Sequence, residues 1–197
     1  MNFESTFDII FAGGGATACV TAGRLAAWQP TLKILIIEAG KHTQDIKEHV
    51  QPGRFFENLL PGHHVYTFHP AQPSEHVRGR FLSVRTGKCL GGGSGINFMI
   101  YTRAAASDYD NWEEEYDNPG WGSKHMLPLL NKAETYEVTG GNPEVHGHSG
   151  PVHVSYGGIY TNTGRDFLET ALQFDKTRKM THDVNGFHEC DAYGVRS

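Results

Sequence analysis

Three consecutive glycines, Gly13, Gly14 and Gly15, follow the apolar run Phe7-Asp8-Ile9-Ile10-Phe11-Ala12. A carboxylate, Glu38, closes a second apolar run, Ile34-Leu35-Ile36-Ile37. These residue types at this spacing suit an anion and a sugar. Gly13 permits a tight turn, and Gly15 lets the backbone approach a pyrophosphate with no Cβ in the way. The amides of Ala16 and Thr17 open the following helix and point at that anion, while Glu38 can accept hydrogen bonds from ribose hydroxyls. The third glycine of the usual pattern is Ala18, a permitted substitute where helix and strand pack closely.

The elements that must position these groups follow from the pattern between them. Ala16 to Trp28 has few helix breakers, so the order is strand, glycine turn, helix, strand, carboxylate: a dinucleotide-binding βαβ unit over residues 5–40 of an α/β fold. Residues 39–73 lose periodicity and read as a long loop with a short helix near 55–60, and loops of that length usually serve a ligand. A short strand at 81–84 leads into a second glycine cluster, Gly91-Gly92-Gly93-Ser94-Gly95, and residues 96–101 read as helix or extended chain. Helices are expected at 104–115, with Ser107 or Asp108 as N-cap, at 125–136 despite Pro128, and at 164–174. A strand is expected at 152–155, with a turn at Asn118-Pro119-Gly120 and a loop over 140–150. A doubly wound sheet needs more than two parallel strands, and no capped helix marks a stop near Ser197. The chain therefore reads as the front part of something longer.

Composition excludes several classes. A net charge of −5 over 197 residues gives a nucleic-acid partner no electrostatic support. No apolar stretch approaches the roughly 18–20 residues of a membrane span, and residues 1–6 lack the basic start and apolar segment of a secretory signal. Cys19, Cys89 and Cys190 are too few and too scattered for a disulfide framework or a CxxC metal site, so a reducing intracellular compartment is expected. Gly87-Lys88-Cys89 is not a P-loop: its first glycine is misplaced, and Cys89 stands where Ser or Thr must hold magnesium. Gly92-Gly93-Ser94-Gly95-Ile96 lacks the closing glycine of a nucleophile elbow. His146 and His148 read as surface-loop histidines without a third metal ligand, and His63, His64 and His69 as solvated loop residues, with a cofactor or substrate contact as the sharper alternative. Asp110 and Glu113 to Glu115 read as a solvated acidic face, and Trp112 and Trp121 as core or lobe-interface anchors.

The two glycine motifs together with Glu38 and Leu90-Gly91-Gly92-Gly93-Ser94-Gly95-Ile96-Asn97 resemble the glucose-methanol-choline family of flavin oxidoreductases. The segment Tyr101-Thr102-Arg103-Ala104-Ala105-Ala106-Ser107-Asp108-Tyr109-Asp110-Asn111-Trp112 is most similar to the fungal alcohol (methanol) oxidases within it. Asn118 to Gly122, Leu127 to Leu130, His146-Gly147 and Gly150-Pro151-Val152 continue the likeness across nearly the whole chain. The resemblance implies a Rossmann-like FAD-binding lobe, incomplete here, interleaved with part of a substrate lobe. It implies a flavin-contacting segment with following helices over 85–135 and a partial substrate lobe over 140–197. By position, Gly13, Gly15, Ala16 and Thr17 would hold the pyrophosphate of FAD and Glu38 the adenosine ribose. Arg85 to Ser94, which includes Gly91, Gly92, Gly93 and Ser94, would run along the flavin and pyrophosphate, with glycines where a side chain would collide with the cofactor, and Asn97 would lie near the isoalloxazine ring. Some family members attach FAD through a histidine just before the equivalent of Asn97; Ile96 stands there, so FAD is expected to be non-covalent. Gly95 replaces a serine usual in the alcohol oxidases.

The reaction so implied takes hydride from the CH–OH group of a small primary alcohol to the flavin. The family's base is a histidine near the C-terminus of a much longer chain, and none of the twelve histidines here has that context. No catalytic residue is therefore expected in this chain, which reads as truncated. A non-catalytic FAD- or nucleotide-binding remnant or interaction module is the alternative. The resemblance also allows a homo-oligomer, and a cytoplasmic or peroxisomal setting.

Overall fold

The computed structural model describes residues 6–60, 65–158, 161–189 and 191–195. The chain divides into two compact units, Met1–Phe98 and Met99–Ser197, with the division inside the 85–135 segment. His63, His64 and Cys190 lie outside the described residues.

In the first unit, β1 (Ile9–Ala12), α1 (Ala16–Trp28) and β2 (Ile34–Ile37) form the expected βαβ opening. The two strands pair in parallel from Ile9 opposite Ile34 to Ala12 opposite Ile37. A parallel pair needs a crossover connection, and α1 supplies it. This helix is alanine-rich, which favours it intrinsically. It stops at Trp28 because Gln29 precedes Pro30, whose ring disfavours helical backbone in the residue before it. Its N-cap is Gly15, with no side chain closing the first turn.

Residues 39–73 carry more structure than their composition suggests. They hold a single helical turn, α2 (Lys47–Val50), a 3-10 helix over Pro52–Leu59 and a strand, β3 (Tyr66–Pro70). That strand pairs antiparallel with β4 (Ser83–Gly87), Tyr66 opposite Gly87 and Pro70 opposite Ser83. The expected strand at 81–84 thus begins and ends later, and His69 sits on its partner rather than in a loop. His69 is exposed, and its Nε2 lies 2.9 Å from the Thr86 hydroxyl. Residues 96–101 contain neither helix nor strand; a 3-10 turn, Gly92–Gly95, precedes them.

The second unit has α3 (Ala106–Glu114), α4 (Ser123–Asn131), β5 (Glu134–Tyr136), β6 (Val152–Val154), α5 (Asn162–Phe174), β7 (Lys179–Met180) and β8 (Ala192–Tyr193). β5 pairs in parallel with β6, and β7 with β8. Two expectations are corrected here. The N-cap of α3 is Ala105; Asp108 lies inside the helix and its carboxylate accepts the Ala105 N–H at 2.9 Å. The helix expected over 125–136 ends at Asn131, because Gly147 and Gly150 press against the backbone that follows and draw residues 134–136 into a strand.

Among the described residues two small cores form: Ala106, Val145 and Phe187 with Tyr109, Leu127 and Leu130 around them, and Tyr136, Val138 and Val154 with Tyr101 and Tyr156. The acidic face of α3 is not merely solvated. Asp110 accepts the Ser123 N–H at 2.8 Å and Glu113 the Gly120 N–H at 2.7 Å, so both bind α3 to the start of α4. Trp112 and Trp121 pack edge to face at 5.8 Å but remain 50% and 48% exposed, so neither is a core residue. No helix among the described residues is long and apolar enough to cross a membrane.

Candidate functional site

Three backbone segments of the first unit meet at the end of β1. Gly13 donates to the Ile37 carbonyl at 2.7 Å with its φ at +105°, the left-handed region that favours glycine, so the chain turns sharply off the strand. The second glycine cluster lies against this turn. The Gly91 N–H donates to the Gly14 carbonyl at 2.7 Å and Leu90 to that of Lys41 at 3.0 Å. Glu38 ties two of them together: its Oε2 accepts the Gly14 N–H at 2.7 Å and its Oε1 the Gly40 N–H at 2.8 Å. These amide donors favour the ionised carboxyl and hold it below the usual carboxylate range.

The glycines of this lattice divide into two kinds. Gly14 and Gly92 are packed inside: a Cβ on Gly14 would lie 2.7 Å from Leu90 Cδ1, and one on Gly92 would lie 3.0 Å from Gly15 Cα. Gly13, Gly15 and Gly93 face outward, where an added Cβ would meet nothing within 4 Å. Gly92 spares the first glycine turn, while Gly93 borders open space.

This geometry fits a dinucleotide. Gly15 offers a Cβ-free approach at the N-terminus of a 13-residue helix whose first turn no side chain caps, an arrangement suited to an anion. Ala16 and Thr17 supply its first amides and are exposed. The Ser94 hydroxyl donates to the Gly91 carbonyl at 2.8 Å and so closes the 3-10 turn. Asn97 lies exposed beyond that turn. Cys89, fully buried, packs under the turn; burial, with Glu38 nearby, pushes its thiol up. Cys19 and Cys89 are both free, and among the described residues no group of three or more His, Cys, Asp or Glu is placed to hold a metal ion.

The second unit holds a polar cluster that sequence reasoning missed. His146 is buried, 4% exposed, with its Nδ1 2.9 Å from Glu134 Oε1 and its Nε2 2.8 Å from Asp183 Oδ2. The two ring nitrogens thus bridge two carboxylates from different parts of the unit. Arg103 joins the cluster, donating to Glu134 at 3.2 Å and to the carbonyls of Val145 and Asn185 at 2.8 Å each. Tyr136 stacks on the imidazole at 3.5 Å and donates to Asp183 at 2.8 Å. Burial raises Glu134, but hydrogen bonds from His146 and the Gly147 amide, with the Arg103 charge, outweigh it and hold the carboxyl low. His146 is thus no surface-loop residue, whereas His148 is exposed as expected. The signal lay in the flanking glycines. A Cβ on Gly147 would lie 1.8 Å from the Asn131 carbonyl oxygen and one on Gly150 2.2 Å from the Glu134 nitrogen, so glycine there seats the loop, and with it His146, on β5.

Comparison with known proteins gives this cradle its class. Residues 7–196 match the family model described as GMC oxidoreductase, and the chain belongs to that family. The family is flavin-dependent, its N-terminal domain is a Rossmann-like FAD-binding fold and its cofactor is FAD. The chain is 44% identical to an alcohol oxidase of Candida boidinii over 168 residues, which cover 85% of this chain and 25% of that protein. It therefore spans about a quarter of the length of the alcohol oxidases it matches. Among solved structures it is similar to an FAD-dependent oxidoreductase from Chaetomium thermophilum, with a TM-score of 0.72 and 31% identity, over 85% of this chain and 29% of that one. A pyridoxine 4-oxidase from Mesorbium loti shares the fold, with a TM-score of 0.79 and 24% identity, over 93% of this chain and 35% of that one.

Proposed function

We propose that this chain forms the FAD-binding part of an alcohol-oxidising flavoprotein acting on a small primary alcohol. The carrying observation is the glycine lattice pinned by Glu38, which leaves Gly13, Gly15 and Gly93 bordering open space. FAD, when bound, supplies the acceptor for hydride from the CH–OH carbon. Gly13, Gly15, Ala16 and Thr17 hold the pyrophosphate. Glu38 meets the adenosine ribose with lone pairs left after Gly14 and Gly40 are bonded. Gly91, Gly92, Gly93 and Ser94 form the wall along the flavin, and Asn97 orients its ring or the substrate. Residues 140–197 contribute to the substrate lobe. Attachment is non-covalent, with Ile96 at the linking position, and a homo-oligomer in the cytoplasm or peroxisome belongs to the same reading.

A second reading is a non-catalytic FAD-binding module, and His146 favours it. Both its ring nitrogens are held by carboxylates in a buried cluster, so this histidine is not open to deprotonate an alcohol. One experiment separates the two. The purified chain is incubated with FAD and desalted, and its spectrum is recorded under anaerobic addition of short alcohols. Retained flavin bands that bleach support the oxidoreductase; retained bands that do not bleach support the module. No retained flavin sinks both.

A further inference from the structure

The end of α3 builds an open cleft that the FAD reading leaves without a task. Trp112, Tyr116, Asn118 and Trp121 line it around a volume of about 470 Å³. Its three rings stay half or more exposed or close to it, Tyr116 at 64%, although aromatic side chains usually bury much of their area. Hydrogen bonds of the following loop hold them in place. The Asn118 side-chain amide donates to the carbonyls of Trp112 and Tyr116 at 3.1 Å each. The Trp121 N–H donates to the Asn118 carbonyl at 3.2 Å, and Glu113 fixes Gly120 between them. The cleft is therefore set before anything enters it, which lowers the ordering cost of binding.

Charge around the cleft is of one sign. Residues 104–123 include Asp108, Asp110, Glu113, Glu114, Glu115 and Asp117 and no Lys, Arg or His. The first three accept backbone N–H groups of Ala105, Ser123 and Gly120. Glu114, Glu115 and Asp117 are exposed and form no hydrogen bond or ion pair among the described residues. Glu115 and Tyr116 follow Trp112 by three and four residues, so all three share one face of the helix end. Carboxylates, ring faces and a helix C-terminus all favour a cation. A guanidinium suits them together, because its plane stacks on an indole while its N–H fork meets a carboxylate. Four lining residues are too few to enclose a small ligand, whereas exposed Trp and Tyr anchors with a charged rim suit a protein interface. Two copies of this face would repel each other. We propose that the cleft docks an arginine side chain of a partner protein, stacked on Trp112 and Trp121 and paired with Glu115.

The test is an NMR titration of the full chain with acetyl-Gly-Arg-Gly-Arg-Gly-amide, read on the indole N–H resonances. The chain has three tryptophans, so Trp28 in the first unit serves as an internal control. Matched peptides carry lysine or citrulline, the neutral isostere of arginine. The arginine peptide shifts Trp112 and Trp121 and leaves Trp28 in place. Lysine binds about two- to fivefold more weakly, and citrulline does not bind. Trp112→Leu and Glu115→Gln each weaken arginine binding about two- to fivefold, and added salt weakens it in the wild type. Equal affinity for the arginine and lysine peptides overturns the proposal, as do equal shifts of all three indoles. Wild-type affinity in either folded variant overturns it as well. If Trp112→Leu does not fold, the exposed substitution Glu115→Gln decides. Shifts of Trp112 and Trp121 that grow with chain concentration in the absence of peptide would seat a second copy in the cleft and overturn the foreign partner.

Discussion

The carboxylate of Glu38 accepts the backbone N–H of Gly14 at 2.7 Å, across 24 residues of chain, and so ties the end of β2 to the turn after β1. Glu38 thereby shapes the turn, besides the ribose contact proposed for it. Replacing it with Gln puts an NH2 where one of two amides now donates, at a cost of about 1–3 kcal/mol. Glu38→Gln should lower both the unfolding midpoint and FAD affinity, whereas a residue that only met the ribose would lower affinity alone. The pH dependence has a definite sign. The folded carboxyl is held below its unfolded value of 4.5, so its contribution is complete above that value and fades as pH falls through the folded one. Acid unfolding of Glu38→Gln should therefore be shallower than that of the wild type below about pH 4.5.

Gly15 and Gly92 should fail in different ways. A side chain on Gly15 meets no protein atom within 4 Å, so Gly15→Leu should fold near the wild-type midpoint yet retain no flavin after desalting. A Cβ on Gly92 would lie 3.0 Å from Gly15 Cα at a φ of +55°, so Gly92→Ala should unfold earlier, by about 1–3 kcal/mol in a denaturant titration. Flavin retained by Gly15→Leu would show the pyrophosphate to be elsewhere.

Ile96 offers no nitrogen for attachment of the flavin. Acid precipitation of the FAD-loaded chain should therefore leave all yellow colour in the supernatant and a colourless pellet. Colour held in the pellet would mean another side chain forms the link.

The βαβ opening was legible because each step had a local cause: alanine-rich helix, glycine turn, apolar strands and Pro30 as the stop. Glu38 was legible as a polar end to an apolar strand, but not its grip on Gly14, since a bond across 24 residues leaves no periodic trace. The strand Tyr66–Pro70 was hidden because His69 and Pro70 read as loop chemistry, and only pairing with Ser83–Gly87 makes it a strand. Glu134 and His146 were hidden for the same physical reason. Charged side chains are normally exposed and histidine is intermediate, and what satisfies this buried pair is Arg103 and Asp183, with Asn185 in turn holding Arg103.

The His146 cluster makes the last prediction. Glu134, with no exposed surface, is met by His146 and Arg103, and Asp183 by His146 and Tyr136. Removing the ring leaves Glu134 with Arg103 and the Gly147 amide, and Asp183 with Tyr136 and the Asn185 amide. Loss of one partner from a buried ion pair typically costs about 3–5 kcal/mol, so His146→Ala should lose that much in urea unfolding. His146→Phe keeps the stack on Tyr136 and should recover only the packing part. His146→Gln, which can donate to one carboxylate but not both, should fall between Ala and the wild type. None of the three should change FAD affinity beyond what lost folding explains, because every polar partner of this ring lies in the second unit. A folded His146→Phe as stable as the wild type would show that the cluster contributes nothing beyond the bulk of its rings.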